Sequence, residues 1–141
     1  MHTTQTLRTP EMVRAMCQQA LEQLRTNASS VRFACLGTVD GRAHAFAGAD
    51  DDAGKTAQRM SAIACSLLAL SESFSRESLH SNCSHALVAA ERGNIIVVRV
   101  PCHSRAYVLA IGVDASDIQA ISLRRALDLS HDLAGLIDSE Q

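Results

Sequence analysis

CSHALVAAERGNIIVVRVPCHSRAYVLAIGV, residues 83–113, decides the fold. It divides into three strand-like runs separated by two short turns. Cys83 to Glu91 is the first run, and Arg92-Gly93-Asn94 turns it back. Ile95 to Pro101 is nearly continuous in β-branched residues, the pattern of a strand buried on both faces or central in its sheet. After Cys102-His103-Ser104, residues Ala106 to Val113 form the third. Connections this short force neighbouring strands to be antiparallel.

Upstream of this meander, a long helix is predicted from about Ala53 to Leu79. Its projection separates two apolar surfaces. Met60, Ile63, Leu67, Leu70 and Phe74 form a bulky stripe suited to packing on a sheet. Beside it run Ala57, Ser61, Ala64, Cys65, Leu68, Ser71 and Ser75, nearly all small, which would let another helix approach closely. The acidic run Asp50-Asp51-Asp52 precedes the helix at the positive end of its dipole, with Asp52 or a neighbour as the expected cap. Further upstream, Val31 to Val39 and Arg42 to about Gly48 read as two strands joined by the Asp40-Gly41 hairpin signal.

At the N-terminal side, Pro10 suits a first helical turn and Thr9 can cap it. Val13, Met16, Cys17, Ala20, Leu21 and Leu24 then mark one apolar face up to about Arg25. Past the meander, a last helix from about Asp117 to Ile137 carries Ile118, Ile121, Ala126, Leu129, Leu133 and Ile137 as its core stripe. The expected organisation is a polar tail over 1–9, one domain over 10–138, and a short tail over 139–141. The order helix, strand, strand, helix, three strands, helix describes an α+β fold: a five-stranded antiparallel sheet with helices on both faces.

Composition narrows the function. A chain of 141 residues holds one core. Its net charge of −2 argues against binding driven by nucleic-acid phosphates. No apolar run approaches the roughly 20 residues of a membrane span, and the first ten residues lack a signal-peptide core. A cytoplasmic protein is expected. The five cysteines, Cys17, Cys35, Cys65, Cys83 and Cys102, lack CxxC spacing and read as reduced thiols. Aromatic residues are 3% of the chain, too few for a base-stacking surface or an aromatic ligand cage.

Several motifs invite a chemical reading. Gly48 to Thr56 sits between a strand and a helix as a P-loop would, yet five residues separate Gly48 from Gly54 where that motif needs four. Three aspartates there would repel a polyphosphate, so Lys55 reads as a solvated residue. His80, Cys83 and His85 form an HxxCxH cluster, with Cys102-His103 elsewhere. Strand alternation would place Cys83 and His85 on one face, with His80 on the preceding helix end, a weak ligand set for zinc. No nucleophile elbow such as GxSxG is present. Arg76 and Arg124-Arg125 are candidates for polar contacts with a partner. No catalytic, cofactor-binding or metal residues are assigned.

The element order, covering roughly residues 10–138, resembles the Roadblock / dynein light chain domain family. Strand one ends in Gly37-Thr38-Val39-Asp40-Gly41, similar to the family's hairpin, and Glu91-Arg92-Gly93-Asn94 leads into Ile95-Ile96-Val97-Val98. The last helix departs from the pattern: it begins Asp117-Ile118-Gln119, where many members carry asparagine-leucine-glycine. The resemblance implies a profilin-like fold and a homodimer or mixed dimer. In such dimers an edge strand pairs with its mate into a ten-stranded sheet, and the second helices lie side by side. It also implies a non-catalytic adaptor or regulator of a small Ras-like GTPase, and some bacterial members of the family stimulate hydrolysis by reshaping the GTPase. A scaffold subunit without a GTPase and a small-ligand sensor are the alternatives. The interface is expected on Ala57, Ser61, Ala64, Cys65, Leu68, Ser71 and Ser75, with His85 and Leu87 beside them. Cys65, near the expected two-fold axis, is expected to crosslink under mild oxidant.

Overall fold

The computed structural model describes residues 7–49, 54–103 and 105–140. Eight elements follow in the order expected: α1 (Pro10–Asn27), β1 (Val31–Thr38), β2 (Ala43–Gly48), α2 (Lys55–Leu79), β3 (His85–Ala90), β4 (Gly93–Val100), β5 (Tyr107–Asp114) and α3 (Gln119–Asp138). The five strands form one sheet, ordered β2-β1-β5-β4-β3, with every neighbouring pair antiparallel.

Local chemistry places the boundaries. The Thr9 hydroxyl accepts from the Met12 amide at 3.2 Å and starts α1. Gly41 takes a left-handed φ of 89° in the β1–β2 turn, a conformation glycine adopts without cost. The aspartates expected to cap α2 lie outside the described residues, and Gly54 occupies the N-cap position instead. Arg8 and the residues after α3 lie together: the Arg8 amide donates to the Ser139 carbonyl at 3.1 Å, and Arg8 bridges to Glu140.

Two cores lie on opposite faces of the sheet. Under α1 and α3 sit Val13, Cys17, Leu21, Leu36, Ile96, Leu109, Ile111, Leu133 and Ile137. Under α2 the side chains are smaller: Cys35, Ala64, Cys65, Leu68, Ala86, Val97, Val108 and Ala110. β4 contributes to both cores, as its β-branched run led one to expect, while β5 is the middle strand and is buried from Tyr107 to Val113. One expectation for α3 changes. Ile118 is the N-cap, outside the helix, and Ile118 and Ile121 are exposed, because the buried position of the first turn belongs to Ser122. Among the described residues, no helix is long and apolar enough to cross a membrane.

Candidate partner interface

The residues of α2 expected to face a second helix face the chain's own sheet instead. Ala57, Ser61, Ala64, Cys65 and Leu68 are buried. The reason lies in β1. A Cβ at Gly37 would sit 2.9 Å from both Cβ and Oγ of Ser61, so helix and strand touch where neither has bulk to spare. Ser61 Oγ lies 2.9 Å from Cys35 Sγ, and the Cys65 thiol donates to the Thr38 carbonyl at 2.8 Å. Ser71 and Ser75 are half-buried at the flank of the helix, the Ser71 hydroxyl returning to the Leu67 carbonyl. Small residues are thus the mark of close helix–sheet approach here, and this part of the expected interface is corrected. Cys65 is 8% exposed, and burial pushes its thiol pKa up, so its crosslinking is no longer expected.

The bulky stripe occupies the opposite side. Met60 and Leu67 lean back on the α2 core, while Ile63, Leu70 and Phe74 stand 64%, 70% and 74% exposed. Met60, Ile63, Leu67, Leu70 and Phe74 step by three and four residues, the seam spacing of helices that pair along their length. Exposed Ala62, Ser66, Ala69 and Ser73 flank them, small enough for a partner helix to come close. Ala62, Ile63, Ser66, Leu67 and Leu70 line a shallow apolar groove of about 410 Å³. From Met60 to Ser71 the helix carries no charged residue. A charge-free apolar strip on an exposed helix is the composition of an interface centre rather than of a solvated face.

Next to α2, β3 forms one edge of the sheet. Ala86 packs into the α2 core, whereas Leu87 pairs with Ile96 on the other face and is 40% exposed. His85 shares that face, being paired with Val98. His85 is half-buried and Leu87 exposed, because α3 lies over β4 and β5. The His80, Cys83 and His85 cluster does not converge. The strand begins only at His85, so the expected alternation does not extend to Cys83, which packs with the α2 core, while His80 is the left-handed C-cap of α2. Among the described residues, no three metal-ligating side chains come together.

The other sequence candidates have structural partners. Arg125 is bonded to Asp117 and to the Ser30 hydroxyl, pinning the start of α3 to the entry of β1. Arg124 pairs with Asp128 at 3.8 Å, and Arg76 with Glu72 at 3.9 Å, both partly exposed pairs worth little to stability. Lys55 is exposed in the first turn of α2, behind a strand that belongs to an antiparallel hairpin. Ser84 Oγ and His85 Nδ1 are 2.9 Å apart, but among the described residues no carboxylate is bonded to that ring, as a serine–histidine nucleophile requires.

No protein-family model matches the chain, and no curated protein matches it. Solved structures do. The Roadblock/LC7 domain from Streptomyces avermitilis is 18% identical with a TM-score of 0.73, over 85% of this chain and 96% of that one. An MglB protein in a tetrameric arrangement is 13% identical with a TM-score of 0.75, over 93% and 94%. A type II free methionine-R-sulfoxide reductase from Thermoplasma acidophilum is more remote, 15% identical with a TM-score of 0.57, over 91% and 94%. The outer face of α2 and the β3 edge both carry exposed large apolar side chains, and the chain has the Roadblock/LC7 fold.

Proposed function

We propose that this chain is a non-catalytic, dimeric adaptor or regulator of a small Ras-like GTPase. The observation that carries the reading is the outer face of α2, where Ile63, Leu70 and Phe74 stand exposed at pairing-helix spacing beside the β3 edge. Covering a leucine, isoleucine or phenylalanine side chain fully contributes roughly 1.5–3 kcal/mol, so covering these three on each of two copies favours their association. A second copy fits because its own α2 offers the same knobs and the same small flanking residues, the self-complementarity that a two-fold interface requires. The MglB likeness, whose structure is a tetrameric arrangement, supports self-association. The GTPase rests on the family resemblance. It would be a separate protein, docking on the paired second helices and the adjoining sheet edge. Five cysteines without CxxC spacing suit a reducing, cytoplasmic setting.

Light scattering over a dilution series tests the dimer, with a mass of about twice 15.1 kDa expected throughout. Capture of Ras-like GTPases loaded with GDP or a GTP analogue tests the partner. A stable dimer that captures none is a scaffold subunit, and a monomer at all concentrations sinks the reading.

A further inference from the structure

The sheet has two edges, and the chain treats them differently. On the β2 edge, the Gln18 side chain from α1 pairs with Phe46 in both directions. The Phe46 amide donates to Gln18 Oε1 at 2.9 Å, and Gln18 Nε2 donates to the Phe46 carbonyl at 2.6 Å. Both peptide groups of Phe46 therefore point out of the sheet, where an added strand would find them. Gln18 Nε2 also donates to Glu22 Oε1, one turn along α1, at 3.0 Å, which holds the amide in this orientation. Gln58 from α2 repeats the arrangement where the strand begins. The Ala43 amide donates to Gln58 Oε1 at 3.2 Å, and Gln58 Nε2 donates to the Gly41 carbonyl at 2.8 Å.

A glutamine side chain carries the same donor and acceptor as a peptide group, so each of these imitates one residue of a neighbouring strand. β3 has no such cover. Among the described residues, the one side-chain bond to its backbone runs from the Cys83 thiol to the His85 carbonyl, at 3.2 Å.

From this asymmetry we infer that Gln18 and Gln58 are strand mimics that seal the β2 edge, confining sheet extension by further copies of this chain to β3. The inference rests on the proposed pairing of copies. A dimer joined at β3 carries a β2 edge at each end of its sheet. Left open, each end would accept another dimer, and the sheet would propagate instead of closing. Sealed by the two amides, the assembly stops at two chains.

The test compares the full-length Gln18→Ala, Gln58→Ala double variant with the parent by light scattering over a concentration series, with circular dichroism confirming the fold. The parent holds one mass. The double variant's mass rises with concentration to about twice the parent's or more, as dimers add through the opened edge. A folded double variant that keeps the parent's mass throughout overturns the inference. A monomeric parent would overturn the proposed dimer but leave this comparison standing, because the double variant would then pass from monomer to dimer. Should the double variant not fold, Gln18→Met keeps the length of the side chain and loses both bonds. Its readout is hydrogen exchange at the Phe46 amide, faster than in the parent when dilute and slower again when concentrated. Exchange that ignores concentration overturns the inference.

Discussion

The inner and outer faces of α2 are built from opposite size classes. Inward, alanine, serine and cysteine, with Leu68 beside them, let the helix settle on β1 so closely that Gly37 has no room for a Cβ. Outward, isoleucine, leucine and phenylalanine stand in solvent. A helix that only covered its own sheet would turn the large residues inward, since stabilisation grows with the apolar area removed from water. α1 and α3 do this, with leucine, valine and isoleucine over the larger core. The inversion in α2 means that its inner face is limited by distance, and it leaves on the outer face the large side chains that the proposed pairing would cover.

The comparison can be broken at either face. The largest expected effect is on association. Leu70→Glu with Phe74→Glu places two carboxylates on the outer seam and should convert a dimer to a 15.1 kDa monomer by light scattering, with the fold intact by circular dichroism. A variant still dimeric would show that the seam is not the contact. Next comes the inner face. Ser61→Leu overpacks the approach to Gly37 and should destabilise the fold by roughly 1–3 kcal/mol in denaturant titrations. An unchanged midpoint would mean that the helix can lift from the sheet at no cost. Cys65 gives a smaller, kinetic signal. Its buried thiol, bonded to the Thr38 carbonyl, should be alkylated later than Cys83 or Cys102 and should not crosslink under mild oxidant.

The smallest effect belongs to the α1 side and serves as a control. Burial, reinforced by Arg14, holds the His44 pKa below its ordinary 6.5, so folding favours the neutral ring. That stability is present above pH 6.5 and declines as pH falls through this value toward the lower folded one. His44→Gln should flatten this acid-side slope in thermal melts, while Leu70→Glu with Phe74→Glu leaves it in place once both proteins are compared as monomers.

Much of the architecture was legible in advance, and for identifiable reasons. Turn residues sit at Asp40-Gly41 and around Gly93, where the backbone needs positive φ, and β-branched residues fill the runs between. The cap at Thr9 and the stripe Val13, Cys17, Leu21 were likewise visible, because each concerns residues within a turn or two of one another. The Phe46–Gln18 pairing was not visible, since it joins residues 28 positions apart.

The candidate interface was half legible. Both stripes of α2 could be read from periodicity, but their orientation could not. Periodicity measures how residues share a helix face and is silent on what that face meets. Size suggested that the bulky stripe would take the sheet, and the structure decided otherwise through Gly37, which lies on a different element and sets how near α2 can come. By itself the sequence determined the elements, their order and the antiparallel meander, because those follow from local torsional preference and short connections. Only the tertiary structure decided which face of α2 is spare and which sheet edge is closed, because both depend on distances between segments far apart in the chain.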